Sequence, residues 1–185
     1  MNSYAARINA ANALTILRIL LVPVLVFALI DQTVGDLLAA GVFAVASLTD
    51  ALDGYLARSR NLVTQLGTQL DPLADKLLII APVIVLVALD RLALWVALVI
   101  VAREVAVTIL RVIATKRGLK VAASIYGKAK TVLQVTMVFM LIVVSGSPTW
   151  LDILIYITVA ATVISGLDYF YKVMVKQEDF SNQRV

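Results

Sequence analysis

The 185-residue chain contains no cysteine and no histidine. Disulfides, a thiolate nucleophile, an imidazole base and the usual zinc sites are therefore excluded, and any catalysis must draw on Asp, Glu, Lys, Arg, Tyr, Ser or Thr. Charge is scarce as well: Asp, Glu, Lys and Arg make up 15% of positions, against about 25% in soluble domains. Low-complexity tracts, internal repeats and linkers are missing, so residues 1–185 are expected to form a single domain. What is present is apolar, at 62% of positions with a mean hydropathy of +0.97. That composition excludes an ordinary soluble domain and a disordered chain alike.

Apolar stretches separated by short polar breaks predict six helices, at about 13–30, 37–57, 70–89, 92–114, 131–150 and 153–171. Each is near the ~20 residues that cross a bilayer. The runs are too long and too unalternating for barrel strands, so the expectation is an all-α integral membrane protein with six transmembrane helices. Residues 1–11, with Arg7 as their only charge, predict a short interfacial helix rather than a cleavable signal peptide, which starts basic and continues apolar.

A formal charge of +4 in a membrane protein serves topology and anionic headgroups, so no nucleic-acid partner is expected. With the N-terminus inside, the inner breaks and tail hold Arg58, Arg60, Lys116, Arg117, Lys120, Lys128, Lys130, Lys172, Lys176 and Arg184, whereas the opposite breaks hold Arg91 beside Asp31, Asp36, Asp90 and Asp152. The positive-inside rule then places both termini in the cytoplasm. Trp95, Trp150 and Tyr156 read as interfacial anchors near the outer ends. Small residues such as Ala39, Ala40, Gly41 and Ala44 favour close helix packing.

Charge is also placed where a span does not want it. The second predicted span includes Asp50 and Asp53, the third starts around Asp71, Asp75 and Lys76, and the fourth carries Arg103, Glu104 and Arg111. The fifth alone is free of charge, from Thr131 to Leu151. A central charge costs about 2.5–3.5 kcal/mol on insertion scales, so a functional role is the default. Pro72 biases Asp71 away from helical angles, so the third helix is expected to kink or begin there.

Asp50 and Asp53 are i, i+3 neighbours on a helix, and Asp71 and Asp75 are i, i+4 neighbours, so each pair shares a face. If the two helices pack antiparallel, four carboxylates converge. They cannot all stay ionised at close range without cations. Oxygen-only ligands select hard ions such as Mg²⁺, Mn²⁺ or Ca²⁺, and two such ions balance four charges. A metal pair is a known device for displacement at phosphorus. Gly54 and Ala57 leave the helix surface open to a flat group, Arg58 is a fork donor suited to phosphate oxygens, and Thr64 offers a hydroxyl. Intramembrane acids also serve ion pathways, so a divalent-cation transporter is the alternative from another class.

The string Asp50-x2-Asp53-Gly54-x2-Ala57-Arg58-x8-Gly67-x3-Asp71-x3-Asp75 resembles the signature of the CDP-alcohol phosphotransferases, integral membrane enzymes of phospholipid synthesis that are typically six-helix homodimers. The resemblance implies that Asp50 and Asp71 bridge two divalent cations, Mg²⁺ or Mn²⁺, that Asp53 completes the first site, and that Asp75 ligates the second and acts as general base. It also implies that Gly54, Arg58 and Thr64 hold the CDP part of a CDP-lipid.

The segment Asn12-Ala13-Leu14-Thr15-Ile16-Leu17-Arg18 followed by Pro23, together with Arg103-Glu104, Arg111 and Tyr126 to Thr131, is similar to the branch that uses CDP-diacylglycerol and sn-glycerol 3-phosphate. That likeness implies a bacterial inner-membrane transferase with Asn12 and Thr15 beside the nucleotide. Arg103, Arg111, Lys128 and Lys130 are then candidates for gripping the acceptor's phosphate, with Glu104 as partner of a cation. Inositol phosphate, phosphatidylglycerol and serine remain alternative acceptors, serine being disfavoured by the cations.

Overall fold

A computed structural model describes the backbone of residues 10–31, 35–60, 65–119 and 124–182, and the side chains of 14–31, 35–50, 70, 72–119 and 124–177. Among the described residues there are six α-helices and no strand: α1 (Ala10–Ile30), α2 (Asp36–Arg60), α3 (Gln65–Ala88), α4 (Leu94–Lys116), α5 (Ile125–Val143) and α6 (Thr149–Asn182). Long apolar runs take this form because a helix satisfies its own backbone hydrogen bonds, which lipid cannot do. The interfacial helix expected over residues 1–11 lies outside the described residues, apart from its last two positions, which open α1.

The helices form two units, Met1–Leu89 and Asp90–Val185. In the first, α1 is central and packs against both α2 and α3. Its buried face runs through Val22, Leu25, Ala28 and Leu29 at helical spacing, while Leu20, Val24 and Phe27 are exposed. The buried face of α2 is made of Ala39, Ala40, Phe43 and Ala46, so three of its four positions let backbones approach closely. In the second unit α6 is central, against α4 and α5. It buries a polar file, Thr158, Thr162 and Ser165, one or two turns apart.

Large apolar side chains cover the outside of both units; Phe27, Leu37, Leu94 and Leu167 are all more than 60% exposed. Patches of this kind suit lipid rather than water. Ile125–Val143 and Thr149–Gln177 are long and apolar enough to cross a bilayer. The apolar part of α1, Leu14–Ile30, is shorter, and α4 is interrupted by Arg103, Glu104 and Arg111. Over the described residues, then, the length and composition of a span are met by two helices rather than six. Trp95 and Tyr156, both exposed, stack with ring centroids 6.0 Å apart.

Three sequence expectations need correction. The charge-free fifth span at 131–150 is in fact a helix over Ile125–Val143 that carries Lys128 and Lys130. Ser124 caps it by accepting from the Gly127 N–H at 3.3 Å, and it stops before Gly146, whose φ of +88° suits glycine. Of the two expectations for Pro72, a helix start there is not met: α3 starts at Gln65 and runs through Pro72 to Ala88. One missing N–H bond is a tolerable loss in a helix whose remaining bonds and packing persist. Finally, α6 continues to Asn182, past the predicted end at 171. At about 1.5 Å per residue its 34 residues are longer than a ~30 Å hydrocarbon core is thick.

Candidate active site

In the first unit, the only charge between Ile8 and Ile30 is Arg18. It is 1% exposed, and its Nη1 lies 2.8 Å from Asp50 Oδ1 on α2 and 2.6 Å from Asp75 Oδ1 on α3. The two carboxylate oxygens are thus no farther apart than the sum of those distances. Thr15 is buried one turn earlier on α1. Asp50 and Asp75 converge through α1, which packs on both their helices, while α2 and α3 touch each other little. The guanidinium is sunk in the unit, whereas the side chains of Asp50 and Asp75 are 36% and 51% exposed, so each carboxylate is still reachable from outside.

This donor set fits a hard divalent cation, because it presents carboxylate oxygens from two helices toward one region. Among the described residues no group of three or more acidic, His or Cys side chains gathers for a metal. Asp53 stands on α2 and Asp71 on α3, and their side chains lie outside the described residues. The same holds for Asn12 on α1 and for Gly54 and Arg58 on α2, and Thr64 falls outside altogether.

In the second unit a different cluster joins three helices. Lys130 of α5 forms an ion pair with Glu104 of α4, and Arg103 Nη1 lies 3.3 Å from the same Glu104 Oε1. Arg103 Nη2 donates to Ser165 Oγ on α6 at 2.5 Å. One turn along α5, Gln134 Nε2 donates to Thr162 Oγ1 at 3.2 Å. Arg103, Glu104 and Lys130 are 14%, 12% and 7% exposed, so the cluster sits in a low-dielectric setting where charge is felt strongly. These three side chains sum to one formal positive charge, which favours an anionic ligand.

Of the four cations expected around the acceptor's phosphate, the structure brings Arg103 and Lys130 onto one carboxylate. Arg111 is placed apart, over the Tyr169 ring at 5.7 Å, and Lys128 is exposed. Sequence reasoning gave Arg18 and Ser165 no role. The signal for Arg18 was available, since a lone arginine inside an apolar helix is as costly as Arg103. For Ser165 there was none, because a serine in a helix is unremarkable until its partner is known.

Residues 8–164 match the CDP-alcohol phosphatidyltransferase family, and the chain belongs to that family. It is 40% identical over 182 residues to the CDP-diacylglycerol–glycerol-3-phosphate 3-phosphatidyltransferase of Bacillus subtilis (strain 168), covering 89% of this chain and 94% of the relative. The enzyme of the same name from Rickettsia felis is 40% identical over 169 residues, with 88% and 93% covered. A probable phosphatidylglycerophosphate synthase of Mycobacterium tuberculosis (strain CDC 1551 / Oshkosh) is 37% identical over 167 residues, with 87% and 79% covered. Together with two helices of bilayer length, these relatives mark a membrane protein.

Proposed function

We propose that this chain transfers the phosphatidyl group of CDP-diacylglycerol to sn-glycerol 3-phosphate, giving phosphatidylglycerophosphate and CMP in phospholipid biosynthesis. The observation that carries the reading is a family match across most of the chain, with relatives near 40% identity whose names state this transfer. The two charge clusters agree with it chemically: one is acidic and suited to hard cations, and the other is cationic and suited to a phosphate.

In the reaction, the 1-hydroxyl oxygen of the acceptor bonds to the lipid-bearing phosphorus, and the bond from that phosphorus to the CMP oxygen breaks. Asp75 takes the hydroxyl proton, and Arg18 holds its carboxylate against that of Asp50. Asp50, Asp53, Asp71 and Asp75 would hold two divalent cations, Mg²⁺ or Mn²⁺, whose charge offsets that of the diphosphate. Asn12, Thr15, Gly54, Arg58 and Thr64 bind the CDP-lipid. Arg103 and Lys130, with Arg111 and Lys128, bind the acceptor's phosphate as forks and point charges.

The same reading includes six crossings of a bacterial inner membrane, cytoplasmic termini and active site, and a homodimer. The lysine and arginine asymmetry of the breaks supports the orientation, and the family resemblance supports the dimer. The test is CMP release from purified protein in detergent, given CDP-diacylglycerol, Mg²⁺ and a panel of acceptors. Turnover with sn-glycerol 3-phosphate is expected. Turnover only with an inositol phosphate, phosphatidylglycerol or serine would reassign the acceptor.

A further inference from the structure

We propose that Ser165 and Gly166 of α6 are positioning residues for the acceptor, forming a seat that fixes the Arg103 guanidinium in the orientation that receives the acceptor's phosphate; this rests on the reading of Arg103 as a phosphate contact. An arginine side chain has many rotamers, and holding it still costs entropy unless other groups define its place. Here two neighbouring positions on another helix do so. Ser165, 1% exposed, accepts from Nη2 at 2.5 Å. A Cβ added at Gly166 would meet Arg103 Cγ at 3.2 Å, tighter than ordinary van der Waals contact, so the arginine stem lies directly against the α6 backbone. Glycine inside a helix is unfavourable, and here it makes room for that stem.

The seat leaves part of the fork uncommitted. Arg103 Nε is buried with no hydrogen-bond partner among the described residues, and buried donors are normally satisfied. A guanidinium carries five N–H donors, of which the Nη2 bond to Ser165 and the longer Nη1 contact to Glu104 engage two. The rotation of the group about its stem, set by Ser165 and Gly166, decides where the remaining donors point. The chemistry these donors recognise is a phosphate monoester dianion, which accepts parallel N–H bonds from a fork.

The test is steady-state kinetics of the full-length protein in detergent, varying sn-glycerol 3-phosphate and CDP-diacylglycerol separately. Ser165→Ala should raise the acceptor KM about 10- to 100-fold, the size expected for one hydrogen bond to a charged group. Gly166→Ala should raise it as well, and in both variants kcat and the CDP-diacylglycerol KM should stay near wild type. Ser165→Thr keeps the hydroxyl and should restore the acceptor KM. Wild-type acceptor KM in Ser165→Ala and Gly166→Ala, or equal loss for both substrates, overturns the seat. Arg103→Ala separates the two levels. If it raises the acceptor KM while the α6 variants do not, the seat alone falls; if it leaves that KM unchanged, the phosphate reading of Arg103 falls and the seat with it.

Discussion

Arg18 Nη1 lies 2.6 Å from Asp75 Oδ1, joining α1 to α3 across 57 residues of sequence. The same nitrogen is 2.8 Å from Asp50 Oδ1, so one buried cation holds two carboxylates. Either carboxylate can keep the arginine compensated when the other is neutralised. The variants Asp50→Asn and Asp75→Asn should therefore each be mild in thermal unfolding, while the double variant costs more than the two together by about 1–3 kcal/mol. Additive melting shifts would show that the two contacts are independent.

Replacing the arginine tests the bridge from its other side. Arg18→Met removes the cation and leaves two carboxylates to repel each other, so CMP release should fall about 10–100-fold, as when a supporting residue behind a ligand set is lost. Arg18→Lys should recover part of that loss. Full activity in Arg18→Met would mean that the bridge serves packing alone.

Asp75 is assigned the proton. Asp75→Asn should lower kcat by about 10²–10⁴, the usual contribution of a general base, with CDP-diacylglycerol binding retained. Binding measured directly with radiolabelled lipid distinguishes this from a collapsed site, in which binding and turnover would vanish together.

Chelation bears on the acidic pattern as a whole. EDTA should abolish CMP release, and added Mg²⁺ or Mn²⁺ should restore it. Asp50→Asn should shift the metal requirement to higher concentration, about 10–100-fold. Undiminished turnover in chelator would rule out divalent ions as participants.

Glu104 takes an ion pair from Lys130 and a longer contact from Arg103. Its removal leaves two largely buried cations facing each other. Glu104→Gln should destabilise the protein by about 3–5 kcal/mol, seen as a lowered melting temperature in detergent. Glu104→Asp keeps the charge on a shorter arm and should lose less. Equal melting of wild type and Glu104→Gln would indicate that solvent already screens the cluster.

Much of the helical layout could be read from the chain because apolar runs and their polar breaks report where lipid ends. The first and fourth helices, expected at 13–30 and 92–114, are found at Ala10–Ile30 and Leu94–Lys116. The fifth was misplaced because hydropathy treats Lys130 as a boundary, whereas in the folded unit that lysine is buried against Glu104. Pro72 does not start α3 for a similar reason: its local bias against helix is outweighed by the rest of the element. The acids Asp50 and Asp75 stand out by cost alone, and Arg18 carries the same cost, but the sequence does not show that it is their common partner.

Residue order and composition by themselves determined that this is an all-helical, lipid-solvated chain, because a bilayer punishes every unpaired backbone group and each stray charge, leaving a strong one-dimensional record. They also determined the family, through a spaced acidic pattern. Which charge meets which was decided only by the packing of helices around α1 and α6, since contacts such as Arg18 with Asp75, or Arg103 with Ser165, depend on the rotation of each helix about its axis. Hydropathy does not encode that angle; interlocking side chains set it.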